Sequence, residues 1–379
     1  MKYIRKQKIE DNIYPGRALV IYGPRRVGKT TLLNEYLSTI IDKKVYFSTG
    51  DDILIRELFL SENRARILDF ASPHDVIAID EAQNVPKIGI GIKMIIDAFP
   101  EKTLILTGSS SFQLSREIGE PLTGRHFTMT LPSFAQEELG LGKFELQNKL
   151  EGYLIYGAYP EVLNASDNTK KEKILSELVS SYLFKDILAL DKIKSPDLLL
   201  DIVRCLAFQI GGEVSFNEIA RTVKSDVKTV QRYVDVLEKM FVVKKVRGYS
   251  KNLRNEISKK AKFYFYDNGV RNAVISQFNG IGTRDDIGKL WENFIFMELY
   301  KKSVNHQKQD SFYFWRTHTG QEIDIIKEEN GVISAFECKW SKTTAKIPTL
   351  FSENYHDTTF EVVHKDNYLD YLTDPTVTI

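Results

Sequence analysis

One stretch of this chain has the residue types and spacing that phosphate binding requires. It reads "GPRRVGKTT" in the order GxxxxGK[ST], between the apolar run "ALVIY" and the helical "LLNEYLSTII". Glycines let successive backbone N–H groups curve around phosphate, the lysine reaches the β- and γ-phosphates, and a threonine hydroxyl at a helix N-terminus binds Mg²⁺. We expect ATP to contact Gly23, Pro24, Arg25, Arg26, Val27, Gly28, Lys29, Thr30 and Thr31, with Thr30 also on the metal.

A pair of acids follows another apolar run, in "VIAIDEAQ". Asp80 is expected to hold Mg²⁺ through water, and Glu81 to orient and polarise the water that attacks the γ-phosphate. An isolated Asp-Glu pair after a strand could instead cap a helix. Because the phosphate loop is also present, the sequence favours the catalytic interpretation.

Two further positions could complete this site. The strand "LILTGSS" ends in polar residues, and in NTPases with an extra strand beside the phosphate-loop strand this tip senses the γ-phosphate. Thr107 or Ser109 is the candidate sensor, Ser110 is less favoured, and a plain Gly-Ser turn is the competing interpretation. Arg125 in "LTGRHF" could reach a neighbouring subunit's ATP as a finger, which would require a homo-oligomer, or it could be a surface arginine.

A second acidic group lies in "EIDIIKEENGVISAFECKW". The Asn-Gly dipeptide at 330–331 predicts a two-residue hairpin turn, since both turn positions favour positive φ. A two-residue turn pairs Glu329 with Val332, and counting outwards along both strands places Asp324 directly opposite Glu337. A four-residue loop would place Asp324 opposite Ala335, one diagonal step from Glu337, and in both registers the two carboxylates share a face.

Facing carboxylates destabilise a hairpin unless a positive charge lies between them. Mg²⁺ or Mn²⁺ suits two such oxygen ligands, and Lys339, on the same face as Glu337, could position an attacking water. The spacing D-x12-ExK resembles the PD-(D/E)xK nuclease core without its proline, and Glu292 on the preceding helix would be a third ligand. The competing interpretations are a solvent-facing ion pair of Glu322 with Lys339 and an exposed helix position for Glu292.

Around these residues the sequence predicts an α/β architecture. Alternating apolar runs and helical stretches over 1–132 indicate a parallel sheet of the P-loop NTPase (AAA+/ASCE) type. Residues 133–196 are mostly helical and could form a lid. Three helices and two strand-like runs over 197–275 have the order of a winged helix, and 281–379 is predicted to be a restriction-endonuclease-like α/β domain.

The winged-helix region carries most of the local charge imbalance. Residues 221–262 contain 13 Lys or Arg against 4 Asp or Glu. The basic residues near the recognition helix and ribbon are Arg221, Lys224, Lys228, Arg232, Lys244, Lys245, Arg247, Lys251 and Arg254. A basic patch on this motif favours nucleic acid, with DNA as the expected partner, although a winged helix can also pair protein surfaces.

Composition sets the remaining limits. The chain has 379 residues, 42% hydrophobic and 27% charged, with a net charge of +1, which is typical of a globular protein of two or three domains. Its two cysteines lack zinc spacing and favour a reducing cytoplasm. No window resembles a membrane span or a signal peptide, so we expect no membrane partner.

Taken together, "GPRRVGKTTLL", "VIAIDEAQNVP", "LILTGSSS", "TGRHF", "YGAYPEVL", "FYFYDNGV", "WENFIFMEL" and "EIDII…FECKW" resemble the AAA+-like ATPases of archaea and bacteria with a DUF4143 carboxy-terminal region. The resemblance implies an ATPase domain, a winged helix and a nuclease-like domain. It gives the ATP roles to Gly28, Lys29, Thr30, Asp80 and Glu81, and the nuclease-like positions to Glu292, Asp324, Glu337 and Lys339.

Two functions follow as expectations. In the first, ATP binding and hydrolysis control a DNA-binding carboxy-terminal module, with metal-dependent cleavage left open. In the second, the chain is a regulatory ATPase switch whose carboxy-terminal domains bind DNA or protein without cutting. Scission of DNA that depends on the acids at 324 and 337 separates them.

Overall fold

A computed structural model describes residues 3–109, 121–180, 195–250 and 261–373. The chain divides into two compact units. The amino-terminal unit comprises Arg5–Pro132 with Lys239–Phe241, and the carboxy-terminal unit comprises Ser133–Glu238 and Val242–Ile379 with Met1–Ile4. Ser110, Lys251 and Arg254 of the predictions lie outside the described residues.

In the described part of the amino-terminal unit, five parallel strands form a sheet in the order β2-β3-β4-β1-β5. The strands are β1 (Ala18–Tyr22), β2 (Val45–Thr49), β3 (Val76–Asp80), β4 (Thr103–Gly108) and β5 (His126–Thr130). Every residue of β1, β3 and β4 is buried, which explains why these strands read as unbroken apolar runs. The predicted α/β parallel sheet, with β4 between β1 and β3, is confirmed.

Helices connect these strands. They are α1 (Lys29–Ser38), α2 (Ile53–Leu60), α3 (Arg64–Ala71) and α4 (Ile88–Ala98). The phosphate-loop sequence lies between the end of β1 and the start of α1. Because parallel strands end at the same edge of a sheet, the residues that follow β1, β3 and β4 come together there.

The carboxy-terminal unit begins with helices and continues into a mixed sheet. Its helices are α5 (Lys143–Asn148), α6 (Leu150–Tyr156), α7 (Pro160–Leu163), α8 (Asn168–Val179), α9 (Pro196–Phe208), α10 (Phe216–Thr222), α11 (Val227–Lys239), α12 (Asn268–Val274), α13 (Ile287–Asn305), α14 (Thr349–Asn354) and α15 (Leu369–Leu372). Its strands are β6 (Glu213–Val214), β7 (Val243–Gly248), β8 (Ala261–Phe265), β9 (Ser311–Arg316), β10 (Glu322–Glu329), β11 (Val332–Cys338) and β12 (Thr359–Val363).

These seven described strands form one sheet in the order β12-β11-β10-β9-β7-β8-β6. The joint lies where β7 runs parallel to β9, with Arg247 opposite Tyr313 and Gly248 opposite Phe314. Strands from the predicted winged helix and from the predicted nuclease-like domain therefore share a sheet. The boundaries proposed for those domains stay predictions.

The hairpin between β10 and β11 has the predicted two-residue turn. Asn330 and Gly331 both have positive φ, 52° and 82°, and Glu329 pairs with Val332. The alternative four-residue loop is therefore excluded, and the pairing extends to Ile325 opposite Phe336, the pair next to Asp324 and Glu337. Against β9, however, β10 has an irregularity between Ile323 and Ile326, and both isoleucines pack in the same apolar cluster, so Asp324 lies at a bulge.

The motifs "YGAYPEVL" and "FYFYDNGV" meet around one buried carboxylate, that of Asp267. It accepts hydrogen bonds from Ala158 N at 2.8 Å, from Ser133 Oγ at 3.2 Å and from Gly269 N at 2.9 Å. A Cβ at Gly157 would lie 1.8 Å from Asp267 Oδ1, so only glycine fits there. Both motifs therefore have a structural role, joining the helical segment after Ser133 to α12.

Candidate functional site

The phosphate loop has the backbone conformation that its glycines predict. Gly28 adopts φ 96°, the left-handed region, with Arg26 at φ 63° in the turn before it. A Cβ at Gly23 would lie 2.1 Å from the carbonyl oxygen of Leu131, so the loop and the segment after β5 approach too closely for any other residue. Val27 is fully buried and anchors the middle of the loop.

Lys29 opens helix α1 and points its ammonium group back into this loop. Its Nζ donates to the carbonyl oxygens of Gly23 and Pro24, both at 2.9 Å, and the side chain is buried. Burial lowers the pKa of Lys29 to about 8, although the nearby carboxylates of Glu81 and Asp80 raise it. A positive charge enclosed by a loop at a helix N-terminus suits a phosphate group.

Thr30 and Asp80 meet across the sheet edge. The Thr30 Oγ1 donates to Asp80 Oδ2 at 2.7 Å, although Thr30 follows β1 and Asp80 ends β3. A hydroxyl and a carboxylate oxygen in contact beside a phosphate loop are the hard oxygen donors that Mg²⁺ prefers. The residues present therefore fit the magnesium ion expected from the sequence.

Thr107 holds both acids of the Asp80-Glu81 pair. Its Oγ1 donates to Asp80 Oδ1 and accepts a hydrogen bond from the backbone N–H of Glu81 at 3.1 Å, and the side chain is fully buried. Glu81 itself adopts a left-handed backbone conformation, φ 49° and ψ 42°. The predicted γ-phosphate sensor is thus engaged with the Asp80 carboxylate and the Glu81 backbone N–H, and its sensing role stays a prediction.

Two further residues of this site, Gln83 and Gly50, are not among those predicted from the sequence. Gln83 Nε2 donates to Glu81 Oε2 at 2.5 Å and to Ser109 Oγ at 3.3 Å, so it links the proposed base to the other sensor candidate. A Cβ at Gly50 would lie 2.2 Å from the carbonyl oxygen of Glu81. The only signal for Gln83 was its place two residues after Glu81 in "DEAQ", and Gly50 had none.

Arg125 lies at the opposite end of the sheet from the phosphate loop. It directly precedes β5, which pairs in parallel with β1 from Ala18 and His126 onward. Its Nε contacts Asp97 Oδ1 at 2.9 Å, and both side chains are more than a third exposed. Arg125 therefore lies at the wrong edge of the sheet for the ATP site of its own unit. The finger role remains a prediction that requires a second subunit.

In the carboxy-terminal unit, Glu292 lies on α13 inside a tight polar enclosure. Its Oε1 accepts from Lys262 Nζ at 2.9 Å and from Tyr264 OH at 2.6 Å, both on β8. A Cβ at Gly211 would lie 3.0 Å from Glu292 Oε2 on the other side. Burial raises the pKa of Glu292 to about 7, with the Lys262 ammonium opposing the rise and the Asp324 carboxylate adding to it.

Asp324 and Glu337 each have a partner of their own. Asp324 Oδ2 accepts the backbone N–H of Cys338 at 2.8 Å, and its Oδ1 lies 4.0 Å from Lys262 Nζ. Glu337 Oε1 lies 2.6 Å from Lys339 Nζ. Burial and then the Asp324 carboxylate raise the pKa of Glu337, which places the two acids within electrostatic reach of each other.

These acids are not assembled as a metal centre. Among the residues that the structure describes, no three Asp, Glu, His or Cys side chains group closely enough to hold a metal ion. The predicted ligands Glu292, Asp324 and Glu337 are neighbours, but the ammonium of Lys262 lies between the first two. No local pattern indicates this contact, because Lys262 ends the basic run of residues 221–262 in the sequence.

The rest of the basic run divides into an exposed and a partly buried part. The exposed residues are Arg221, Lys224, Lys228 and Arg232 around the start of α11, with Arg247 at the end of β7. None of the four near α11 forms an ion pair with a described residue. Lys244 and Lys245 are half-buried against the rings of Tyr300, at 4.7 Å, and Phe216, at 5.9 Å.

Three segments of the chain match known protein families. Residues 15–140 match an AAA domain, residues 147–281 match a domain of unknown function (DUF8612), and residues 287–376 match another (DUF4143). The second match crosses the boundary predicted at 196 between a lid and a winged helix. None of the helices in the described part of the chain has the length and apolarity to cross a bilayer.

Individual relatives are distant. An uncharacterized protein of Haemophilus influenzae is 26% identical over 92% of this chain and 86% of its own length. An uncharacterized protein of Methanocaldococcus jannaschii is 24% identical over 84% of this chain and 74% of its own length. The AMPPCP-bound DnaA of Aquifex aeolicus matches 59% of this chain and 82% of its own at 19% identity, and Drosophila ORC bound to AT-rich DNA and Cdc6 matches 69% and 86% at 10%. Their TM-scores are 0.26 and 0.25.

Proposed function

We propose that this chain, an AAA-type ATPase with a DUF4143 carboxy-terminal domain, hydrolyses ATP at its phosphate loop and uses the nucleotide state to control a nucleic-acid-binding carboxy-terminal unit. The observation that carries the ATPase part is the contact of Thr30 with Asp80 beside the inward-pointing Lys29. Residues from two separate segments, the start of α1 and the end of β3, meet there in the arrangement that triphosphate chemistry needs.

Each residue has a distinct task in this proposal. Lys29 and the backbone N–H groups of the loop bind the β- and γ-phosphates, while Thr30 and Asp80 hold Mg²⁺. The bound ion would neutralise charge that develops on the phosphate oxygens. Glu81 orients the attacking water, and Thr107 keeps Glu81 beside Asp80 through its two hydrogen bonds.

A finger arginine would complete the site from another subunit. Arg125 cannot serve its own ATP because it lies at the opposite strand end, but an arginine at that edge suits a neighbour in a homo-oligomer. We therefore propose self-association on ATP binding. Arg125→Ala should reduce the ATPase rate without reducing ATP affinity, and the wild-type rate per chain should rise with protein concentration.

The nucleic-acid part rests on the exposed charges around α11. The element order α9, β6, α10, α11, β7, β8 is that of a winged helix, in which α11 would be the recognition helix. Four exposed basic side chains lie around its start, and none has an acidic partner among the residues that the structure describes. Unpaired surface cations of this kind favour contact with phosphate backbones, with DNA as the expected partner.

ATP chemistry is tested by Lys29→Ala and Glu81→Gln in the full chain. The first variant should lose both nucleotide affinity and hydrolysis. The second should bind ATP normally and hydrolyse it at least about a hundredfold more slowly, because the general base is removed and the phosphate contacts remain. Normal affinity and turnover in Lys29→Ala would refute the site.

DNA binding is tested by fluorescence anisotropy with a labelled duplex across a range of salt concentrations. The variant Lys228→Ala/Arg232→Ala should bind more weakly and lower the slope of log K against log salt by about 0.9 for each lost phosphate contact. The control, Lys170→Ala/Lys173→Ala, removes equal charge from exposed positions on α8. Equal loss of affinity in both variants would indicate nonspecific electrostatic attraction.

Repeating the titration with a non-hydrolysable ATP analogue tests whether the nucleotide state controls DNA binding.

The second candidate is the regulatory switch that binds without cutting. It is favoured by the ammonium of Lys262 between the acids Glu292 and Asp324. Incubation of plasmid with protein, Mg²⁺ or Mn²⁺ and ATP separates the candidates. Cleavage that is abolished by Asp324→Ala, with ATP hydrolysis intact, would favour a nuclease.

A cytoplasmic location is proposed only from the two unpaired cysteines.

A further inference from the structure

We propose that Lys262 is the resident cation of the carboxy-terminal acid cluster, Glu292, Asp324 and Glu337, and that its ammonium group occupies the space between Glu292 and Asp324 that a divalent metal ion bound by all three acids would need. The acids are then a structural ion-pair cluster that joins β8 to α13 and β10. This inference does not depend on ATP hydrolysis or on nucleic-acid binding.

The contacts of Lys262 meet the needs of a buried ammonium group. Its Nζ lies 2.9 Å from Glu292 Oε1 and 4.0 Å from Asp324 Oδ1. The side chain is only 4% exposed, and those of Glu292 and Asp324 are 12% and 9% exposed. An ammonium group removed from water is stable only beside counter-charges, and these two carboxylates supply them.

The third acid does not lack a cation either. Glu337 contacts the ammonium of Lys339 at 2.6 Å, so three acids are matched by two lysines within the cluster. A divalent ion placed between Glu292 and Asp324 would lie against the Lys262 ammonium in a poorly solvated space. Repulsion between the two cations would then exclude one of them.

The backbone of Lys262 is held in place on both sides, so its side chain cannot easily move away from the acids. It lies on β8, which pairs on one side with β6 through Glu213 and on the other with β7 through Val246. Its ammonium also lies over the ring of Phe314, 5.4 Å from the centroid. A strand hydrogen-bonded on both sides cannot shift alone, so metal binding would require the side chain to leave its enclosure.

The ligand set inferred from D-x12-ExK therefore does not fit a metal ion in this arrangement. Lys339, the lysine of that pattern, is 43% exposed and pairs with the neighbouring Glu337, while the cation beside Asp324 comes from a different strand. The acids instead resemble a buried ion pair completed by a tyrosine hydroxyl, that of Tyr264 at 2.6 Å from Glu292. Such pairs contribute specificity of packing when every member is satisfied.

The test is Mn²⁺ binding by the full chain without nucleotide, followed by electron paramagnetic resonance. Each protein is compared with its own Asp324→Asn derivative, so that ions bound elsewhere cancel. Wild type and Lys262→Arg, which keeps a cation, should bind no Mn²⁺ that depends on Asp324. Lys262→Gln should gain one such ion, and Lys339→Gln should gain none because its ammonium lies outside the enclosure.

Two results would overturn the proposal. One is wild-type Mn²⁺ binding that is lost in Asp324→Asn. The other is a folded Lys262→Gln that gains no ion.

A thermal-unfolding cycle covers the case in which Lys262→Gln does not fold. Lys262→Met alone should lower the midpoint more than Lys262→Met/Glu292→Gln, since the double variant leaves no unpaired carboxylate at position 292. Midpoint losses that simply add would show that the two side chains are not coupled, and the inference would fail.

Discussion

Replacing Thr107 by valine removes one buried hydroxyl group and keeps the shape of the side chain. Two hydrogen bonds are lost: one donated to the charged Asp80 Oδ1, and one accepted from the backbone N–H of Glu81. A hydrogen bond to a charged group and a buried N–H left unsatisfied together cost on the order of 4 kcal/mol. Thr107→Ser keeps the hydroxyl and loses only a methyl group, which costs about 1 kcal/mol.

The stability part of this prediction is local and is measured by hydrogen–deuterium exchange of the peptides that cover β3 (Val76–Asp80) and β4 (Thr103–Gly108). Thr107→Val should increase exchange in both strands, while Thr107→Ser should leave it close to wild type. The turnover number for ATP should fall about tenfold to a hundredfold in the valine variant, since Glu81 loses the contact that orients it.

One outcome would refute this reasoning. If Thr107→Val and Thr107→Ser exchanged alike and retained the same turnover number, the hydroxyl would have no positioning role. A different pattern would favour the sensor role predicted from the sequence: unchanged exchange, with the valine variant no longer distinguishing ATP from ADP in affinity.

Three further predictions concern the same site. Because the pKa of Lys29 is lowered to about 8, the free protein loses that charge above this pH, and affinity for an ATP analogue should fall by up to about tenfold per pH unit there, whereas Lys29→Arg should show no such fall between pH 7 and pH 10. Gly23→Ala should abolish ATP-analogue binding in calorimetry, since its Cβ would lie 2.1 Å from the Leu131 carbonyl oxygen; unchanged affinity would contradict that geometry. Gln83→Leu should lower the turnover number about tenfold with KM unchanged, because the amide no longer holds Glu81; a change in KM alone would count against this.

The local features of this protein could be predicted from its sequence. The phosphate loop follows from glycines at positions whose backbone must curve, and Gly28 adopts the expected positive φ. The hairpin register follows from an Asn-Gly turn, since two residues with positive φ determine which strand residues face each other. The place of β4 between β1 and β3 was expected only by analogy with NTPases that have an extra strand beside the phosphate-loop strand.

Features that depend on distant contacts could not be predicted in this way. Lys262 was counted with surface charges because its neighbours in sequence are basic, and only the packing of α13 on β8 brings Glu292 to it. Asp267 joins two motifs by accepting hydrogen bonds from the backbone N–H groups of both. No spacing of residues in the sequence indicates this role. Gln83 gained its role only when β3 and β4 placed Ser109 beside it.

The amino-acid sequence by itself determined the conformation of the phosphate loop, because the requirements there are backbone dihedral angles and residue types within a few positions of each other. The tertiary structure decided which charges meet. Strand pairing between β7 and β9 and the burial of α13 bring acids and lysines from separate segments into a poorly solvated space, where each charge needs a partner. Whether an acidic cluster holds a metal ion or a lysine depends on that three-dimensional arrangement. No local pattern in the sequence predicts it.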